Sequence, residues 1–251
     1  MATSFGALCT DFYINQKLAL KMDLPSERET TLHFFERVRQ AVPAMSKFRK
    51  YDGEMVLETP RKKDDPQNAW LSLRKNSIRS GHVNPDSMEQ AYRYHQFVLQ
   101  QAPYQLSISP LDVDYVELTF GFDLECSENQ DEVLYQALFA DSPLGAVMNI
   151  EGSKVLDCQP FCSVNLDDQG NTQAFFEVRT RQKSRRGSSS RYADEPIVLQ
   201  LTVRKYGPVD KPEDLKNQFP ELAEVCSQLT IDKLVPELLM PISRHITSSA
   251  G

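Results

Sequence analysis

The stretch Glu117–Gln130, ELTFGFDLECSENQ, decides the fold. Leu118, Phe120, Phe122 and Leu124 alternate with Thr119, Gly121 and Asp123, the period of two of a half-buried strand. Ser127-Glu128-Asn129-Gln130 then reads as a capping box. In such a box the serine hydroxyl accepts a backbone amide and the Gln side chain reaches back to the serine amide. Strand, cap and helix follow one another without a linker. The same succession stands 101 positions upstream. There Leu18, Leu20 and Met22 alternate with Lys17, Ala19 and Lys21, and Ser26-Glu27-Arg28-Glu29 is the box.

Working outward, the parallel continues. Leu32, Phe35, Val38 and Val42 form one helical stripe, stopped by Pro43. Val133, Leu134, Ala137 and Leu138 form the other, stopped by Pro143. Tyr51-Asp52-Gly53 and Ile150-Glu151-Gly152 read as hairpin turns, because glycine supplies positive φ. They lead into Val56-Leu57-Glu58 and Val155-Leu156-Asp157. Ala69–Arg74 and Ala174–Arg179 alternate in the same sense, with Trp70 and Phe175 on one face. Leu71 and Leu73, and likewise Phe176 and Val178, take the other. A helix closes each unit. One starts at Asn84-Pro85 with stripe Met88, Tyr92, His95, Val98, Leu99. The other starts at Asp210 with Pro212 and shows Leu215, Phe219, Leu222, Val225.

These matches predict an α+β protein of two tandem β-α-β(3-4)-α units, residues 1–110 and 111–251. Their strands join in one continuous curved antiparallel sheet with helices on one face. A C-terminal helix over Thr230–Ile246, with stripe Leu234, Leu238, Leu239 and Ile242, packs on the second unit, and Thr247–Gly251 is a loose tail.

The two capping boxes, with strands over Trp70–Ile78 and Phe175–Lys183, resemble the TATA-binding-protein-like fold. That fold is a duplicated β-α-β4-α unit related to helix-grip ligand-binding domains. The Tyr-rich helix and paired apolar strand over Tyr92–Phe122 are also similar to a sporadically distributed, uncharacterised bacterial protein family. The resemblance implies a fold and brings no catalytic residue with it.

The 251 residues include 40% hydrophobic and 25% charged side chains, the balance of an ordinary globular chain. Five scattered cysteines, Cys9, Cys126, Cys158, Cys162 and Cys226, fit free thiols in a reducing compartment. Cys158 and Cys162 would face the same way on a strand, as two core residues. The N-terminus shows no secretory signal and no stretch is long enough to span a membrane, so a cytoplasmic location is expected.

No phosphate loop, metalloprotease, hydrolase or metal-spaced motif is present, so no catalytic residue, metal or cofactor is assigned. The acidic pairs Asp64-Asp65 and Asp167-Asp168 read as solvated loop and hairpin turn. His33 and His95 fall on amphipathic helices, and His82 beside a loop. Tyr92, Tyr94, Phe97 and Tyr104, with Tyr115, Phe120 and Phe122, would line a groove between helix and sheet able to hold a small apolar ligand. Tyr92, His95 and Tyr104 are its binding candidates. A second set is a basic run, Arg179, Arg181, Lys183, Arg185, Arg186 and Arg191, around Gly187-Ser188-Ser189-Ser190.

The net charge of −7 is unevenly spread. Residues 1–93 hold 15 basic and 12 acidic residues. Between Tyr94 and Ser153 there are ten acids and no Lys or Arg. An acidic segment and a basic loop on one chain invite binding to each other, including across a homodimer. The sequence thus favours a non-enzymatic binding or accessory protein, using the inter-unit groove or its charged surfaces to hold a protein or small ligand. One alternative is an enzyme with dispersed residues, His95 or His82 with a nearby acid. The other is a nucleic-acid binder working through the 179–191 loop, which the acidic balance disfavours.

Overall fold

The computed structural model describes residues 4–25, 27–60, 65–180 and 196–249. The chain runs β1 (Asp11–Leu20), α1 (Arg28–Ala41), β2 (Lys47–Tyr51), β3 (Glu54–Glu58), β4 (Asn68–Arg74), β5 (Ser77–Val83) and α2 (Met88–Gln105). It restarts with β6 (Val113–Leu124), α3 (Gln130–Leu138), a short α4 (Pro143–Met148), β7 (Phe161–Asn165), β8 (Thr172–Arg179), β9 (Ile197–Tyr206) and α5 (Pro212–Leu229). Wide π-type turns over Thr230–Leu239 lead into α6 (Met240–Ser249).

The nine strands of the described residues form one open, curved antiparallel sheet in the order β2-β3-β4-β5-β1-β6-β9-β8-β7. The expected α+β architecture is therefore present. β1 and β6 lie at the centre and pair along nearly their whole length, from Asp11 opposite Asp123 to Ala19 opposite Tyr115. Each begins one half of the chain, and the remaining strands of each half extend outward from it. The alternation explains the layering. Phe12, Ile14, Leu18, Phe120 and Phe122 point to the helix side and are fully buried. With Phe5 they make an aromatic cluster, Phe12 and Phe122 centred 5.1 Å apart. Helices α2 and α5 lie over this pair and pack on each other, as the ring contact of Tyr92 with Phe219 records.

Several local expectations are corrected. Ser26 lies outside the described residues; α1 is preceded by Glu27 as its N-cap, and α3 by Asn129, neither with a side-chain cap bond. Serine at 127 is thus not the cap. The buried stripe of α1 is Thr31, Phe34, Phe35 and Val38, with Leu32 left 39% exposed, because Phe34 offers more apolar area to the core. Pro143 does not end α3, which stops at Leu138; it opens α4, where its missing N–H costs nothing. Asn84 does not cap α2. It sits at φ 47, accepts the Phe12 amide, and donates to Asp11 at 2.5 Å, while Ser87 caps the helix. For α5 the N-cap is Lys211, with Asp214 accepting its amide at 2.9 Å.

Gly53 bends the β2–β3 hairpin at φ 71 as expected. Gly152 also has positive φ, but Val155-Leu156-Asp157 forms no strand. Among the described residues the second half thus has one strand fewer than the first. Trp70–Ile78 is not one strand, since a turn at Lys75-Asn76 separates β4 from β5. β8 ends at Arg179, and the remainder of Phe175–Lys183 up to Lys183 leaves the described residues after Thr180. The C-terminal helix is present, and Leu234, Leu239 and Ile242 are its buried positions. The five-residue step from Leu234 to Leu239 matches the widened turns. Thr247–Ser249 is the end of α6 rather than a loose tail. Among the described residues no helix is long and apolar enough to cross a membrane.

Candidate functional site

The sheet face opposite the helices carries the most organised set of polar and aromatic side chains. Strand alternation places Tyr13, Asn15 and Lys17 of β1 on it, with Tyr115, Glu117, Thr119 and Gly121 of β6. Registration adds Gln200, Thr202, Arg204 and Tyr206 of β9, then Phe175, Glu177 and Arg179 of β8, and Phe161 of β7. On the other side of β1 stand Gly81 and Arg79 of β5 and Trp70 of β4.

One row is a cation–aromatic ladder. Lys17 stands 4.8 Å from the centre of the Tyr115 ring. The Arg204 guanidinium lies 4.2 Å from the same ring and 4.8 Å from that of Phe175. Phe161 continues the row, 6.2 Å from Phe175 between centres. Two nitrogens of Arg204 reach Glu117, at 2.7 and 2.8 Å, and a third donates to the Tyr206 hydroxyl at 2.8 Å. Burial lowers the Arg204 pKa, but Tyr206 and Glu117 outweigh it, and the net shift is upward. The guanidinium is therefore fixed between two rings, a setting in which partial desolvation strengthens cation–π attraction.

A second row crosses three strands. The Tyr13 ring lies over Gly121, where a Cβ would come within 2.1 Å of it, and reaches Gln200, whose amide donates to the Tyr13 hydroxyl at 2.8 Å. Arg179 donates to the Gln200 side-chain oxygen and pairs with Glu177 at 2.9 Å. Burial pushes the Tyr13 hydroxyl up to about 12. Trp70 likewise covers Gly81 and meets the Asn15 side chain there. Most cations of this face are paired in place, Arg49 at 2.7 Å and Lys47 at 3.7 Å from Glu58, and Arg74 at 3.0 Å from Glu54. The face is preorganised and close to electrically neutral.

The predicted site residues fall in three places. Arg179 belongs to the network just described, as an ion-paired support of Gln200. Arg181, Lys183, Arg185, Arg186 and Arg191 lie outside the described residues, as does Asp64. Tyr92, His95 and Tyr104 all lie on α2, yet in different surroundings. Tyr92 lines a cleft of about 470 Å³ between α2 and α5, with Glu89, Arg93, Gln96, Phe219 and Glu224. Its hydroxyl is 3.2 Å from that of Ser227, and burial pushes it up to about 12. Tyr104 is 58% exposed and donates to Glu213.

His95 is fully buried. Its Nδ1 lies 2.8 Å from Ser80 Oγ, and Ser80 Oγ donates to Gln16 at 2.9 Å. A hydroxyl has one proton to give. With that proton on Gln16, His95 donates from Nδ1, the reverse of the arrangement in which histidine activates a serine. Burial pulls the His95 pKa down to about 3. His82 is also buried, in β5 rather than beside a loop, and its pKa is lowered by the same desolvation. The space expected between helix and sheet is filled by Phe120, Phe122 and Tyr94, while Tyr115 faces the opposite side. The open groove lies instead between the two helices.

The cysteines are free thiols. Cys158 is buried, its amide donating to Asp131 at 3.0 Å, while Cys162 is exposed on β7, so they are not two core neighbours. No group of metal-ligating side chains occurs among the described residues. Asp167 supports its hairpin by accepting the Asn171 and Thr172 amides at 2.9 and 2.6 Å. Asp65 accepts the Gln67 amide at 3.0 Å. The ladder escaped the sequence reading because its members lie far apart in the chain and meet only through strand registration. Comparison of the chain with protein-family models and with curated proteins finds no match to either.

Proposed function

We propose that this protein is a non-enzymatic binding module that recognises a protein partner on the helix-free face of its sheet. The observation behind this reading is the ladder Lys17–Tyr115–Arg204–Phe175–Phe161, fixed in place across five adjacent strands. Aromatic and Arg side chains held before binding lose little entropy when a partner arrives, and they are the residue types that dominate interface energetics. In this reading the chain is an internally duplicated, TATA-binding-protein-like fold with repeats 1–110 and 111–251. Support comes from the two β-α-strands-α halves meeting at β1 and β6. Free thiols suit a cytoplasmic setting.

The electrostatics weigh against nucleic acid. Phosphate binding needs unneutralised cations, and Arg49, Arg74, Arg179 and Arg204 each already meet a carboxylate. They weigh against catalysis too, since His95 and His82 are buried and neutral.

The test begins with partners co-purified with the full chain, identified and then titrated against variants. Combined Tyr115→Ala, Arg204→Ala and Phe175→Ala removes the ladder and is expected to weaken binding by about a hundredfold or more. Tyr92→Ala with Glu224→Ala, in the α2–α5 cleft, is expected to leave it unchanged. The opposite pattern assigns the function to the cleft. Salt-sensitive binding of a mixed-sequence oligonucleotide would overturn the protein-partner reading.

A further inference from the structure

The two outer edges of the sheet differ in a way that points to a second interaction site. β2, the edge of the first half, carries Lys47, Arg49 and Lys50, and its Phe48, though 46% exposed, makes a ring contact with Phe35 of α1. Charged side chains on an edge strand discourage further pairing. β7, the edge of the second half among the described residues, reads Phe161-Cys162-Ser163-Val164-Asn165 and has no charge at all. All five residues are exposed, Phe161 by 59% and Val164 by 47%.

The flanking helices differ as well: α1 has 14 residues and touches the edge through Phe35, whereas α3 has 9. Among the described residues the second half has four strands against five in the first, and no strand stands beside β7 as β2 stands beside β3.

The backbone of β7 is poised for a partner. The Leu166 amide donates to Thr172, and the Val178 amide to Pro160. Antiparallel alternation then directs Cys162 and Val164 toward β8 and turns the N–H and C=O groups of Phe161, Ser163 and Asn165 outward. Three donors and three acceptors line an edge about 17 Å long.

Charge selects the occupant. Residues 141–179 contain six acids and two bases, Lys154 and Arg179, and Arg179 is already paired with Glu177. Exposed Asp157 and Asp168 stand near the two ends of the strand. A second copy pairing antiparallel through β7 would set Asp157 of one chain near Asp168 of the other, a like-charge arrangement that costs binding. An extended segment with cations at its ends meets the opposite charge. We infer that β7 is a docking edge that takes an extended, Lys- or Arg-flanked apolar segment of a partner protein as a tenth, antiparallel strand. Main-chain bonds would supply affinity, and the acidic ends orientation.

The probe is a capped peptide of about ten residues, alternating Val and Thr between flanking lysines. It is titrated into the full-length protein while backbone amide resonances are followed. The expected result is perturbation and slowed exchange at Phe161, Ser163 and Asn165. A Glu-flanked peptide is expected to bind about tenfold more weakly at low salt. Val164→Lys places a charge on the edge as β2 does, and Ser163→Pro removes an outward donor without touching the β8 ladder. Each should weaken binding about tenfold or more while amide dispersion of β1–β5 is retained. Perturbation centred elsewhere, equal binding of both peptides, or unchanged affinity in the two folded variants overturns the inference. Self-association that Val164→Lys abolishes overturns it as well, in favour of a second copy.

Discussion

The ring of Tyr13 lies across Gly121, so close that a Cβ on the glycine would sit 2.1 Å from the ring carbons. Trp70 covers Gly81 in the same manner, at 2.2 Å. Both pairs are direct cross-strand neighbours, Tyr13 on β1 against β6 and Trp70 on β4 against β5. A ring folded over a glycine fills the gap that the missing side chain leaves and hides the neighbouring backbone from water. Gly121→Ala is therefore expected to lift Tyr13 off Gln200 and lower stability by about 1–3 kcal/mol. Tyr13→Ala alone should also destabilise. The double variant should cost less than the sum of the two, because the clash exists only with the ring present. Denaturant midpoints of the four proteins measure this coupling, and simple additivity would contradict it.

Acid stability depends on His95. Its pKa is about 3 in the folded protein, against roughly 6.5 in an unfolded chain. Below about pH 6.5 the unfolded chain takes up a proton that the folded protein refuses. Stability from this group is complete above that pH and declines as pH falls toward 3, by at most about 1.4 kcal/mol per unit. His82, lowered by burial as well, acts in the same direction. His95→Gln is expected to flatten the fall of unfolding free energy between about pH 6 and pH 4, whatever its effect on stability at neutral pH. An unchanged slope in that variant would show that His95 is not the titrating group.

The sequence discloses what is periodic and local. The alternation of Leu118 to Leu124 located β6, and Gly53 located the β2–β3 turn. Fully buried helix positions were partly displaced, as with Phe34 for Leu32, because a helical stripe wide enough for either cannot say which side chain the sheet will meet. The difference between the halves was hidden, since Val155-Leu156-Asp157 has strand composition but pairs with no strand among the described residues. Arg204 drew no notice for a related reason. Its importance comes from Tyr115, Phe175 and Glu117, which are between 29 and 89 positions away in the chain. Arg179, by contrast, stood out in a run of cations, and the structure gives it an ion pair and an amide partner.

Asp123 opposes His95. Burial, with Asp11 directly opposite on β1, raises its pKa to about 6. The folded protein then holds a proton that the unfolded chain has released above its ordinary value of 3.8. Its favourable contribution is present below that value and is lost as pH rises through about 6. Above that, a carboxylate with an unpartnered buried oxygen faces a second carboxylate. Asp123→Asn removes the charge without removing a side-chain hydrogen bond of that oxygen. It is expected to stabilise the protein by about 1 kcal/mol at pH 8, the exposed part of the side chain being screened by solvent. Near pH 4 the effect should vanish. Thermal unfolding at the two pH values separates this from a pH-independent gain in packing.

Thiol reactivity reports on the uncovered edge. Cys126, Cys158 and Cys226 are buried, and desolvation raises their pKa values, that of Cys158 to about 11. Cys9 is partly exposed but held at about 12 by burial and by the nearby Asp123 and Asp11 carboxylates. Thiolate is the reactive form, so these four should resist modification at neutral pH. Cys162 faces solvent on the helix side of β7, opposite Phe176. A disulfide reagent at pH 8 is therefore expected to modify Cys162 rapidly and the other four only as the protein unfolds. Cys162→Ser should abolish the fast phase. A fast phase that survives this substitution would mean that another cysteine is open to solvent in the native protein. Slow labelling of Cys162 in the native protein would mean that a segment already covers β7.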